Sequence, residues 1–269
     1  MKKRRADEAL MEQLALEKIE LARALIMEGR VMSGDRKILR ASEMIGVEEK
    51  LRVRGEIDSY VSRGAYKLKR AIEVFGLDLN GKTCIDVGAS TGGFTDVMLR
   101  AGAKKVYSVD VGYNLLDYRL RRDERVVAME KTNARFLKPE DFPDHPEFGA
   151  TDVSFISLKA VLPAALSVLQ PGSRFVALIK PQFEAAKEDV GAKGVVRDPE
   201  VHRRVLEDIL AFVPSTGWRA IGLDYSPIRG PEGNIEFLLE LSDRAEDVEN
   251  ISTEATLRAA YDKFMKSNE

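Results

Sequence analysis

Cysteine is nearly absent from this chain: Cys84 is the one thiol in 269 residues, so no internal disulfide can form and a disulfide scaffold is excluded. Histidine is almost as scarce. His145 and His202 stand far apart, without Cys or His neighbours at metal-ligand spacing, and no metal site is expected. Long apolar runs are missing too: the longest uncharged stretch, 160–173, is too short to cross a bilayer and contains Pro163 and Pro171. Met1-Lys2-Lys3-Arg4-Arg5 could open a secretory segment, but Asp7, Glu8 and Glu12 follow where its apolar core should be. A cytoplasmic protein with no membrane partner is therefore expected. Nor is there an excess of either charge. A formal net charge of −2 lacks the basic footprint usual for a nucleic-acid-binding domain, so any RNA surface has to be local. Candidate patches are 2–5, Arg36-Lys37-Arg40, Arg52 with Arg54, and Arg63-Lys67-Lys69-Arg70, each weighed against a merely solvated face.

What is present is an ordinary globular composition, 44% apolar and 32% charged. The length suits one large domain and one small one. Residues 1–58 read as the small one. Leu21, Ala22, Leu25 and Ile26 make an apolar helical face ending near Gly29, and strand-like pieces at 30–32 and 50–53 follow, with a turn at Ser33-Gly34-Asp35. A linker runs on to about residue 62. The larger domain, 63–245, alternates strands and helices: apolar runs at 83–87, 106–110, 125–129, 148–153 and 174–179 read as strands. Leu158, Val161, Leu162, Ala165, Leu166 and Leu169 recur at helical spacing, and Asp198-Pro199 supplies a cap and first-turn proline for another helix. A late strand pair, 219–225 and 235–241, closes the unit, and 246–269 reads as a docked helix on Leu257, Ala260, Tyr261 and Phe264. The fold class expected is α/β, a doubly wound, Rossmann-like and mostly parallel sheet whose ligands bind at the carboxyl ends of its strands.

The turn Gly88-Ala89-Ser90-Thr91-Gly92-Gly93 follows the first of these strands and opens a helix with Phe94. A dinucleotide turn needs G-x-G-x-x-G, and a P-loop ends in Lys-Ser/Thr; Ser90 replaces the second glycine and no such lysine is present. A nucleoside without phosphates fits better, and S-adenosylmethionine is the common one. Asp110 ends the second strand, placed for ribose hydroxyls, and Asp86 precedes the turn, placed for the methionine ammonium through water or backbone. Lys67, Asp152, Lys180 and Glu236 lie at predicted strand or helix ends facing the same crevice. Lys180 closes the apolar run Phe175-Val176-Ala177-Leu178-Ile179; it is either snorkelling from a buried strand or placed for use. An ion pair with Asp152, on the neighbouring strand, is expected.

Six stretches together resemble a known family: Tyr60 to Leu68, Asp86 to Asp96, Asp110-Val111-Gly112-Tyr113, Asp152 to Leu158, Lys180 to Ala185, and Gly233 to Leu239. They are similar to the TlyA-type, haemolysin A-like and FtsJ-related rRNA 2′-O-methyltransferases. The resemblance implies that Lys67, Asp152, Lys180 and Glu236 form a Lys-Asp-Lys-Glu catalytic tetrad, that the substrate is a cytidine ribose in ribosomal RNA or a ribosomal subunit, and that an S4-type RNA-binding domain lies at the amino terminus. Arg4, Asp7, the helix around 22–27 and Gly34 fit that domain, while 35–46 departs from its usual loop. The cofactor would contact Asp86, Gly88, Ser90, Gly92, Gly93, Phe94, Asp110, Asn133 and Asp152.

The chemistry follows from the reactants. A sulfonium methyl is already activated, so the enzyme has chiefly to align the acceptor and remove its proton. Lys180 would be the base, acting in its neutral form. Rival classes are a membrane-active haemolysin, which needs an apolar span or a strongly amphipathic basic helix; an RNA-binding module with a broken tetrad; and an NAD-dependent oxidoreductase, which Ser90 disfavours. The stretch 183–198, with Gly191 and Gly194, reads as a long mobile loop, and Cys84 as core.

Overall fold

The structure, a computed structural model, describes residues 3–16, 19–27, 29–54, 60–244 and 251–265. The chain divides into two units, Met1–Ser59 and Tyr60–Glu269.

In the first unit β1 (Lys3–Arg5) runs straight into α1 (Ala6–Gln13), followed by α2 (Ile19–Met27), β2 (Val31–Ser33), β3 (Arg36–Lys37), β4 (Met44–Gly46) and β5 (Leu51–Val53). Strand β1 pairs with β4, and β2 lies between β3 and β5, all antiparallel. Ala6, Leu10, Ala22, Leu25, Ile26, Ile38 and Ile45 close a small core. The helix face expected at 21–26 is there. Helix α1 and strands β1, β3 and β4 were not anticipated: a strand of two or three residues has no measurable alternation. Asp7 is buried, and the Arg5 guanidinium, with help from Arg23, holds its carboxyl down at about 2 against the opposing effect of burial. Much of the basic patch charge is neutralised in place: Arg4 pairs with Glu12, Arg36 with Glu43 and Glu49, whereas Lys37 and Arg40 stay exposed.

The second unit opens with α3 (Ala65–Phe75), whose Ala65, Leu68 and Ala71 make one buried face and whose end is Gly76 in the left-handed region, φ 61°. Then come β6 (Thr83–Val87), α4 (Gly93–Arg100), β7 (Lys105–Val109), the single turn α5 (Tyr118–Arg121), β8 (Val126–Met129), β9 (Phe148–Thr151), α6 (Leu158–Ser167), β10 (Arg174–Ile179), the short α7 (Pro181–Glu184), α8 (Pro199–Phe212), β11 (Arg219–Tyr225), β12 (Phe237–Ser242) and α9 (Thr253–Met265). Asp198 caps α8 as its sequence implies, its side chain accepting the Glu200 N–H. Ser157 caps α6 in the same way through the Lys159 N–H.

These strands form one seven-stranded sheet in the order β11-β12-β10-β9-β6-β7-β8. Strand β12 is antiparallel to both β10 and β11, and the remaining pairings are parallel. The late strands pair with each other and close one edge of the sheet, as expected, with β12 next to β10 and β11 outermost. The strand expected at 148–153 ends at Thr151 and is central: all four residues of β9 are buried and it pairs with β6 and β10 at once, so neighbours supply the stability that Phe-Gly-Ala-Thr lacks alone.

The stretch after β10 also differs from a long mobile loop. It carries α7, tight turns at Lys187–Asp189 and Ala192–Gly194, and a bridge between Gly191 and Val195. One-turn helices leave no periodicity to read. The buried Asn234 side chain holds this segment, accepting the Val196 N–H at 3.0 Å and donating to the Gly194 carbonyl at 2.9 Å. Helix α9 is no separate appendage: Leu257, Ala260 and Phe264 enter the main core of the sheet unit. The boundary placed at 245/246 lies outside the described residues. Among the described residues no helix is long and apolar enough to cross a membrane, and no three His, Cys, Asp or Glu side chains are grouped to hold a metal.

Candidate active site

The strand order reverses between β6 and β9, since the chain runs outward through β7 and β8 and then returns to the other side of β6. Ligands of open α/β sheets bind at such a point, beyond the carboxyl ends of the strands. A cavity of about 830 Å³ lies there, within the size range of small-molecule sites. Asp86, Gly88, Ser90, Gly93 and Phe94 line it from the β6 side, and Lys67, Asp152, Lys180 and Glu236 from the other.

Sheet register brings these distant residues together. Thr151 is level with Val87 on one side and Ala177 on the other, so Asp152 emerges beside the glycine turn and next to the end of β10. Strand β12 runs antiparallel, with Phe237 opposite Ile179. Glu236, entering β12, therefore comes to the end of β10 where Lys180 leaves it, and its side chain pairs with Lys67. Lys67 comes from helix α3, which packs on β12.

The four side chains form a line of alternating charge. Lys180 Nζ lies 2.6 Å from Asp152 Oδ1, Lys67 Nζ lies 3.2 Å from Asp152 Oδ2, and Lys67 Nζ lies 2.7 Å from Glu236 Oε2. Lys67, Lys180 and Glu236 are all buried, Glu236 completely. Buried charges persist only when paired, and here each cation has an anion in contact. Burial is the largest single influence on Lys67 and opposes its charge, but Asp152 and Glu236 together outweigh it and hold its pKa above the usual value. Burial likewise opposes ionisation of Asp152, yet Lys67 and Lys180 keep its pKa below the usual carboxylate range. At Glu236 burial prevails over Lys67, and the pKa is raised. The contacts from Lys180 to Asp152 Oδ1 and from Lys67 to Glu236 are ion pairs by distance, and neither carboxylate atom accepts a well-aligned hydrogen bond.

The glycine turn is shaped by close approach. Gly88 has φ 86°, and a Cβ there would stand 2.8 Å from the Asp152 carbonyl oxygen. A Cβ on Gly93 would meet Ser62 Oγ at 2.3 Å, so the glycine lets the segment leading into α3 close over the turn. Asp86 is fully buried; its Oδ2 accepts the Thr95 N–H at 2.8 Å and the Thr95 hydroxyl at 2.7 Å, while Oδ1 has no hydrogen-bond partner. Burial pushes its carboxyl up to about 7.

Three of the expected cofactor residues border the cavity lining without belonging to it or stand apart from it. Gly92, Asp110 and Asn133 are not among the residues lining the cavity. Asp110 is occupied with the backbone, Oδ2 accepting the Ser90 N–H and Oδ1 the Gly112 N–H, both at 2.7 Å. Asn133 caps a turn by accepting the Arg135 N–H at 3.1 Å. Conversely, Ser154, Phe155, Phe183, Lys193 and Asn234 line the cavity although nothing singled them out beforehand. Ser154, Phe155 and Phe183 stand inside motifs already read around Asp152 and Lys180, but a motif does not say which of its members face a ligand. Phe155, 90% exposed with φ 63°, stacks at 5.1 Å on Phe183, whose ring lies 5.9 Å from Lys180 Nζ.

A seven-stranded sheet with one antiparallel strand inserted near its edge, and a glycine turn after β6, defines the fold class of S-adenosylmethionine-dependent methyltransferases. Within that class the chain belongs to the FtsJ-like methyltransferase family, which matches residues 60–242. A Bacillus subtilis protein named provisionally as the rRNA methyltransferase YqxC is 49% identical, over 89% of this chain and 86% of that one. The 16S/23S rRNA (cytidine-2′-O)-methyltransferase TlyA of Mycobacterium tuberculosis is 45% identical, over 70% of this chain and 71% of that one. A solved structure from Streptococcus thermophilus, titled provisionally as a hemolysin, is 43% identical with a TM-score of 0.79, covering 100% of this chain and 99% of that one.

Proposed function

We propose that this protein transfers the methyl group of S-adenosylmethionine to a ribose 2′-hydroxyl of ribosomal RNA, with cytidine as the nucleoside. The observation that carries the reading is the line Lys180–Asp152–Lys67–Glu236 on one wall of a cavity whose other wall is a non-phosphate glycine turn. The residues present fit the methyl donor. The unpartnered Asp86 Oδ1 is an acceptor for its ammonium, the glycine cradle at Gly88, Ser90 and Gly93 admits its body, and Phe94 adds an apolar surface. Asp110 supports the turn through the Ser90 N–H, and Gly92 and Asn133 are assigned to the donor only through the family resemblance. When bound, S-adenosylmethionine supplies an electrophilic methyl that needs no further activation.

The tetrad divides the remaining work. A base must be neutral to accept a proton. Lys67 is clamped as a cation between two carboxylates, which leaves Lys180 as the amine that takes the hydroxyl proton. Asp152 holds both amines in place, and Glu236 fixes Lys67. Lys180 Nζ would accept the hydroxyl proton and become an ammonium paired with Asp152, while the donor would supply the methyl and leave as a neutral thioether. Residues 1–58 serve as an S4-like RNA-binding domain, and a ribosomal substrate places the protein in the cytoplasm.

The test is transfer of labelled methyl from S-adenosylmethionine to rRNA and ribosomal subunits, followed by nuclease digestion and identification of the methylated nucleoside. A 2′-O-methylcytidine product is expected. Label on a base atom, or no transfer to any rRNA, would overturn the reading. Parallel titrations with NAD and liposomes, expected to be silent, address the other classes.

A further inference from the structure

The tetrad leaves one question of direction open. A lysine amine sits at the end of a flexible stem, and proton transfer needs its lone pair aimed at the hydroxyl. Asp152 holds Lys180 by charge, at 2.6 Å, but Asp152 Oδ1 accepts no aligned hydrogen bond. The directional contact of the Lys180 amine is with another residue: Nζ donates to Ser154 Oγ at 2.8 Å. Ser154 is exposed to the cavity it lines, two residues beyond Asp152 on the connection that follows β9.

We infer that Ser154 is a positioning residue for the base, its hydroxyl oxygen accepting one Lys180 N–H so that the lone pair of the neutral amine faces the substrate. This rests on the proposed 2′-O-methyl transfer. A neutral amine has two N–H bonds and one lone pair besides its carbon. Asp152, an acceptor only and 2.6 Å from Nζ, attracts one N–H by charge without aligning it, and Ser154 Oγ accepts the second in a directed hydrogen bond. The third tetrahedral position is then the lone pair. It points away from both acceptors, into the cavity that Gln182 and Phe183 also line. The Ser154 hydroxyl hydrogen is free to turn to solvent. After transfer the new N–H occupies that third position, and the other two bonds are unchanged. Besides Ser154, the charged groups around the amine are Asp152 after β9 and, beyond it in turn along the line, Lys67 of α3 and Glu236 before β12.

The experiment compares wild type, Ser154→Ala and Ser154→Thr in methyl transfer to rRNA across pH, with S-adenosylmethionine affinity and thermal stability measured alongside. Ser154→Ala is expected to keep both affinity and stability and to lower the plateau kcat roughly ten- to hundredfold, the scale of a misaligned reacting group, with KM for RNA unchanged. Ser154→Thr retains the oxygen and restores most of the rate. An alanine variant with wild-type kcat would overturn the inference while leaving the tetrad reading intact. A rise in KM alone would also overturn it, making Ser154 a substrate contact. A wild-type protein that transfers no methyl would instead defeat the proposed function itself.

Discussion

The two walls of the cavity solve the problem of a polar site by opposite means. On the β6 side recognition is built from backbone: missing Cβ atoms at Gly88 and Gly93 make the space, and Asp110 spends both oxygens on the Ser90 and Gly112 N–H groups. On the β9-β10 side it is built from side chains, four ionisable groups, three of them buried, that neutralise one another in a line. A backbone wall tolerates change at a position until its shape is lost. A line of buried charges is coupled, and removing a member strands its partner. The turn wall should therefore govern donor affinity, and the charged wall the rate.

Changes to the charged wall that leave the turn wall untouched sharpen this contrast most. Lys180→Ala should lower methyl transfer by at least about a hundredfold, the usual share of a general base, with S-adenosylmethionine affinity unchanged. Lys180→Arg should fail nearly as badly, since a guanidinium stays protonated. Single-turnover rates with calorimetry of donor binding provide the check, and an arginine enzyme near wild-type rate would break the contrast by making Lys180 a clamp. On the other wall, Asp110→Ala should weaken donor binding by about 1–3 kcal/mol through loss of two charge-assisted bonds that hold the turn. Calorimetry giving wild-type affinity would remove Asp110 from the site. Lys67→Ala and Glu236→Gln should have smaller rate effects, about tenfold, because these groups orient and tune the base and do not take the proton. A defect as deep as that of Lys180→Ala would show that the line acts as one unit.

The smallest effect expected is one of pH. Burial raises Asp86 to about 7, so between the ordinary carboxyl value and about pH 7 the folded apo protein holds a proton the unfolded chain has released. The Asp86 contribution to stability is present at low pH and is lost as pH rises through about 7. Binding of the donor ammonium favours the carboxylate, so affinity should fall severalfold as pH drops from 8 to 6, below the tenfold-per-unit limit for one proton. Calorimetry in buffers of differing ionisation heat would register proton release on binding; affinity independent of pH would sink the Asp86–ammonium contact.

His202 belongs to neither wall and shows the opposite linkage. It is buried against Tyr261 and Phe237, and burial lowers its pKa to about 4. Its share of stability is therefore lost as pH falls from the ordinary histidine value toward 4. It was read from the sequence as a histidine outside any metal set, and its position supports packing between α8, α9 and the sheet.

Much was legible in local pattern. The apolar runs at 83–87 and 174–179 became strands with those bounds, and Asp198-Pro199 opened its helix, because hydrophobic periodicity and capping act over a few residues. The glycine turn followed its strand for the same reason. The motifs around Lys67, Asp152, Lys180 and Glu236 marked the residues that meet. Tertiary structure decided how they meet. The place of β12 between β10 and β11, which sets Glu236 against Lys67, depends on pairing across more than fifty residues of chain. That Asp110 accepts the Ser90 N–H, and that Ser154 joins Asp152 at the Lys180 amine, depended on side-chain geometry at the meeting of separate strands. A sequence records what each segment prefers alone; register and burial arise only when the segments pack together, and these set the charge, direction and partners of every group in the cavity.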